Sequence, residues 1–147
     1  MNNELITQND IDAFEWIKSN TKKDAIFFVA PDSSGAYIYF YTGRYVLPPN
    51  AFRLLNENET LEQDMDKILY MLILGEINRT LLNLLLKYRI RYIYISPKLP
   101  YYGRWEHLNH TALMLDNRFK LVFKSGDVYI FKFLLLTLSL IHISEPT

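Results

Sequence analysis

Ala25-Ile26-Phe27-Phe28-Val29-Ala30, ended by Pro31, is the stretch whose reading decides the fold. A strand with one wet face alternates apolar and polar residues. Six apolar residues in a row suit a strand buried on both faces, as in a parallel sheet covered by helices. Upstream, Thr7 and Asp10 form a pair of capping-box type before Ile11, Phe14 and Ile17, with Ala13 and Trp16 beside them. That spacing predicts a helix over 8–20, followed by a polar turn from Thr21 to Asp24. Downstream, Asp32-Ser33-Ser34-Gly35 reads as a turn that caps a short helix over 36–42. Gly43 is placed to close that helix. Tyr45-Val46-Leu47 reads as a short strand stopped by Pro48 and Pro49, and the polar stretch from Asn50 to Asn58 reads as irregular.

The second half repeats the alternation. Leu61, Met65, Ile68, Leu69 and Leu72 mark a helix that opens near Thr60 and is interrupted at Gly75. Ile77, Leu81, Leu84, Leu85 and Tyr88 mark another. Arg91 to Ser96 then reads as a strand ended by Pro97, and Lys98 to Gly103 as a loop rich in Pro and Tyr. A helix is expected over 105–115. Two strands, 119–124 and 128–133, are joined by Ser125-Gly126-Asp127, a short Gly-bearing hairpin connection. Helices alternate with strands until this hairpin. The expected fold is therefore α/β: a mostly parallel sheet covered by helices, with a C-terminal antiparallel β-hairpin at its edge.

Composition agrees with a folded domain. The chain has 147 residues, half of them hydrophobic and 22% charged, which fits one domain with a real core. Lys plus Arg and Asp plus Glu stand at 16 each, so no broad field draws nucleic acid, and none is expected as a partner. There are no cysteines, which excludes disulfides, thiol catalysis and zinc–thiolate sites. Met1 to Ile6 is polar and acidic and does not read as a signal peptide. No run of eighteen apolar residues occurs, so no stretch of this sequence reads as a bilayer span. Eleven Tyr, nine Phe and two Trp supply amphipathic rings suited to half-buried surfaces, interfaces and sugar stacking.

Leu138-Ser139-Leu140-Ile141-His142-Ile143-Ser144-Glu145-Pro146-Thr147 resembles, codon for codon, the frame translation of a transposon-end adaptor used in sequencing libraries. On that resemblance the domain is expected to span residues 1–136. Residues 137–147 are set aside from fold reasoning as an artefactual tail, as fusion scars are. His142 then has no biological role.

The familiar catalytic signatures are missing: neither G-x-G-x-x-G nor G-x-x-x-x-G-K-[ST] occurs, nor G-x-S-x-G. No cofactor is expected. Three weaker patterns remain. Asp32, Ser33, Ser34 and Gly35 follow the first strand and open a helix, where open α/β sheets gather ligands and helix amides attract anions. A capped tight turn explains the same residues. His107 and His110, at i and i+3 on one helical face, form a candidate metal pair that lacks a third ligand. Tyr101, Tyr102 and Trp105, beside Arg104, offer stacking faces for a sugar or a lipid headgroup layer. Three sequons begin at Asn58, Asn78 and Asn109.

The segment order resembles the C-terminal domain of polytopic membrane glycosyltransferases with the GT-C type of architecture, and of related uncharacterised prokaryotic membrane proteins. The resemblance rests on Asp12 to Thr21 with Asp24-Ala25-Ile26-Phe27, on Gly35-Ala36-Tyr37 and Tyr41-Thr42-Gly43-Arg44, and on residues 85–95 and 119–131. It implies an extracytoplasmic domain, non-catalytic in itself, attached through a missing N-terminal membrane part that is its partner. Lipid headgroups or a glycan are further implied contacts, and the implied donor is a lipid-linked sugar. The catalytic acids of such proteins sit in membrane loops, so no catalytic residue carries over. Arg44 matches the pattern without an assigned role; a guanidinium there can partner a carboxylate or phosphate. A free-standing ligand-binding module with an anion pocket at Asp32 to Gly35 is the alternative. Both readings expect buried strands to absorb the apolar residues and leave no group of ionisable side chains gathered in one cleft.

Overall fold

The computed structural model describes residues 6–31, 33–49, 59–97 and 107–134. Asp32, residues 50–58, residues 98–106 with Tyr101, Tyr102 and Trp105, and residues 137–147 lie outside them. The described elements are α1 (Gln8–Asn20), β1 (Ile26–Val29), a 3-10 turn (Ser34–Tyr37), α2 (Ile38–Thr42), β2 (Tyr45–Leu47), α3 (Glu59–Leu74), α4 (Arg79–Lys87), β3 (Tyr92–Ile95), α5 (His110–Met114), β4 (Phe119–Ser125) and β5 (Val128–Phe133).

Five strands form one sheet in the order β2-β1-β3-β5-β4. β1 runs parallel to β2 and β3. β5 runs antiparallel to β3 and β4. The sheet is parallel at one end and closes on an antiparallel hairpin at the other.

Strand periodicity divides the apolar residues between two faces. Phe27, Val29, Tyr92, Tyr94, Val128 and Ile130 face α1 and α2, where they meet Ala13, Phe14, Ile17 and Ile38. Phe28, Ile93, Ile95, Phe131 and Phe133 face the other side, against Met65, Ile68 and Leu72 of α3 and Leu81, Leu82 and Leu85 of α4. The alternating Tyr-Ile-Tyr-Ile of β3 thus puts both tyrosines under α1 and both isoleucines under α3 and α4. Each large side chain buried this way contributes about 1.5–3 kcal/mol relative to exposure.

Local chemistry sets the ends. Thr7 and Asp10 make a full capping box at the start of α1. Gly43 ends α2 in the left-handed region, φ 77°, where a Cβ is costly. Gly75 does the same after α3, φ 76°, and the Glu76 amide reaches back to Met71 O at 2.8 Å. In β4, Leu121 pairs with Phe131 and Phe123 with Ile130, which leaves Val122 as a bulge. The extra residue turns Phe123 to the α1 face, where its ring meets Trp16 at 6.0 Å.

One expectation needs correction. The helix predicted over 105–115 is, among the described residues, only α5, five residues long. Asn109 starts it, accepting the Ala112 amide at 3.0 Å. An Asn side chain that caps so readily opens a helix instead of lying inside one. Among the described residues, no helix is long and apolar enough to cross a membrane.

Candidate functional site

β1 leads to β2 on one side, while β3 leads toward β5 on the other. The crevice between their carboxyl ends is the topological switch point, where open α/β sheets usually hold ligands. Ser33, Ser34 and Gly35 follow β1 there, and Ser96 follows β3. All four are buried.

The crevice is filled by a polar knot centred on Asp10. Its carboxylate, only 2% exposed, accepts the Ser34 hydroxyl at 2.6 Å and the Tyr94 phenol at 2.7 Å on Oδ1. The Thr7 amide, at 2.9 Å, and the Thr7 hydroxyl, at 3.0 Å, reach Oδ2. The Ser34 and Ser96 hydroxyls lie 2.8 Å apart, and Ser33 donates to Ala30 O at 2.6 Å. A buried carboxylate is tolerable only with donors of this kind around it. Burial and the adjacent Asp10 charge push the Tyr94 phenol far above its ordinary range, so Tyr94 stays a neutral donor. Gly35 is set by contact: a Cβ there would lie 2.8 Å from Val29 Cγ1 and 3.0 Å from Tyr94 Cδ1. The serine hydroxyls of the turn therefore serve the joint between α1, β1 and β3.

Arg44 is also turned inward. Its Nη1 donates to Thr42 O at 2.8 Å. Its Nη2 donates to Thr21 O at 2.7 Å and Lys18 O at 3.1 Å, and its Nε to Thr21 Oγ1 at 3.1 Å. These carbonyls close the last turns of α1 and α2, where no intrahelical donor reaches them. The guanidinium is a clasp on two helix ends. Among the described residues its side-chain partners are carbonyls and a hydroxyl, not a carboxylate.

The two histidines do not share a helical face. His107 is exposed and precedes α5, and His110 opens α5 with its ring stacked on Tyr129 at 4.3 Å. The sequon asparagines Asn78 and Asn109 cap α4 and α5 through their side-chain oxygens.

No family model matches the chain, and no curated protein does. Among solved structures, its fold is similar to that of the C-terminal globular domain of oligosaccharyltransferase from Archaeoglobus fulgidus. The TM-score is 0.59 at 17% identity, over 87% of this chain and 98% of that domain. At that identity the likeness to the oligosaccharyltransferase domain speaks for the fold alone.

A cavity of about 650 Å³ lies at the opposite end of the strands from the switch point. Lys22, Asp24, Arg89, Arg91 and Lys132 line it. This corrects the expectation that no ionisable side chains would gather in one cleft. Its residues come from the turn after α1, the link between α4 and β3, and the end of β5. Only strand pairing unites them, and no local spacing carries that signal. Four cations against one acid among the described residues suit anion binding better than proton transfer between paired acids and bases.

Proposed function

We propose that this chain is a non-catalytic, extracytoplasmic C-terminal domain of a membrane glycosyltransferase-like protein that uses a lipid-linked sugar donor. Its role is structural or acceptor-positioning. The observation that carries this reading is the fold likeness to the oligosaccharyltransferase C-terminal globular domain, which spans nearly the whole of both domains. The residue patterns at 12–27, 35–44, 85–95 and 119–131 add to it. The polar groups at the switch point fit a scaffold too, because Asp10, Ser34 and Tyr94 hold three elements together.

In this reading the transmembrane part of the same protein is the partner, and the domain sits on the outer face of the membrane. Sequencing the genomic DNA upstream of the Met1 codon tests it. A frame that continues into several apolar spans supports the assignment. A frame that closes at Met1, with no encoded spans before it, rules it out.

A further inference from the structure

The amino-terminal edge of the sheet carries a feature that a scaffold does not need. Among the described residues Lys22, Arg89, Arg91 and Lys132 line the 650 Å³ cavity with Asp24 as the one acid, an excess of three positive charges. None of the four cations forms an ion pair among the described residues. Among the described residues Arg91 Nε is buried without a hydrogen-bond partner, an arrangement that costs free energy unless a ligand or water completes it.

The backbone holds these groups in place. The Arg91 amide donates to Ile26 O at 3.0 Å, and its carbonyl accepts the Phe133 amide at 2.8 Å. Lys132 stands opposite Tyr92 in the β3–β5 ladder. Arg89 takes a left-handed backbone, φ 57°, which non-glycine residues adopt only under local constraint. Ala25 and Ile90 are buried in the wall, and Tyr45, 55% exposed, stands at the rim.

We propose that this cavity binds a phosphate-bearing ligand with more than one negative charge, its substituent lying against the apolar wall and the Tyr45 ring. Like charges gathered at one site repel until an anion neutralises them. The planar fork of arginine takes two oxygens at a time, and a phosphate, unlike a single carboxylate, keeps further oxygens and further charge for the neighbouring cations. The phosphate can belong to a soluble compound or to a lipid headgroup. A free-standing domain would carry the same site, so its fate is separate from that of the glycosyltransferase reading.

The test uses the full chain at low salt, because screening weakens such contacts. Inorganic pyrophosphate is titrated while backbone amide shifts and heat are followed. Vesicles of phosphatidylglycerol are compared with vesicles of phosphatidylcholine. Pyrophosphate should move the amides of Ile26, Arg91, Tyr92 and Lys132. The double variant R91Q/K132Q should bind at least about tenfold more weakly, equivalent to about 1.4 kcal/mol. K124Q should bind as the parent does, since that lysine stands on the Tyr129 ring at the far turn. Capture by phosphatidylglycerol vesicles alone, lost in R91Q/K132Q, assigns the phosphate to a lipid headgroup and supports the site. Movement of those amides in the parent decides the question even if the double variant fails to fold. Silence with both probes, or equal weakening by K124Q, overturns it.

Discussion

The Tyr94 phenol and the Asp10 carboxylate meet at 2.7 Å across 84 residues of sequence, fastening the first turn of α1 to the carboxyl end of β3. Ser34 reaches the same oxygen from the turn after β1. One carboxylate thus sets the angle at which three elements meet.

Removing the phenol oxygen leaves that carboxylate buried with one donor fewer. Tyr94→Phe is expected to lose about 1–3 kcal/mol, seen as a lower denaturant midpoint with an unchanged slope. Asp10→Asn should be destabilised too, through the weakened cap and the two hydroxyls. Because both variants break one network, the double variant should lose less than the sum of the singles by about 0.5–3 kcal/mol. Additive losses would mean that the contact contributes nothing specific.

Arg44 separates a clasp from a ligand arm. A lysine keeps the charge but lacks the planar set of donors that reaches Thr21 O, Lys18 O and Thr42 O together. Arg44→Lys and Arg44→Gln should both be destabilised by roughly 1–3 kcal/mol. Both should also speed amide exchange at the C-terminal turn of α1. Unchanged stability with either variant would return Arg44 to the surface as a binding residue.

Sequence revealed what is local here and missed what is distant. The Ala25-to-Ala30 run, the Thr7–Asp10 cap and the Gly43 stop are each decided by neighbours within a turn, and the structure has them where the pattern put them. The hub role of Asp10 was hidden, because a capping box explains an aspartate at that position without Tyr94. A tyrosine in a strand buried on both faces does need a partner for its hydroxyl, and that was the one available signal. Arg91 and Lys132 become neighbours only through the β3–β5 register, which no spacing encodes. The helix expected over 105–115 has Asn109 inside it, and that side chain instead caps the start of α5.

Two glycines should respond differently to the same methyl group. At Gly35 the space is absent: Val29 and Tyr94 stand within 3.0 Å of a Cβ. Overpacking there is expected to cost about 1–3 kcal/mol in Gly35→Ala. At Gly43 nothing among the described residues lies within 4 Å, but φ is +77°, so Gly43→Ala should cost about 1–2 kcal/mol through the backbone alone. Asn tolerates that conformation better. Gly43→Asn should recover part of the loss, whereas Gly35→Asn should recover none. Melting temperatures of the four variants decide between steric and backbone causes.

Two carboxylates should contribute to the acid sensitivity of the fold. Hydrogen bonds from Lys87 and then Tyr88 hold Asp64 below its ordinary value of 3.8, joining α3 to the end of α4, with Lys87 Nζ at 2.8 Å. Arg118 holds Asp116 below the same value through a two-pronged contact at 2.9 and 2.8 Å. A group whose folded pKa is lowered releases its proton more readily when folded, so its stabilisation is complete above the unfolded value. That stabilisation falls away as pH drops through about 4 toward the folded pKa. Denaturant midpoints should therefore be flat from about pH 7 to pH 5 as far as these groups are concerned, and fall below that. Asp64→Asn and Asp116→Asn should each start lower at pH 7 and decline less steeply on acidification. If the parent and both variants decline in parallel, the acid response lies in other carboxylates.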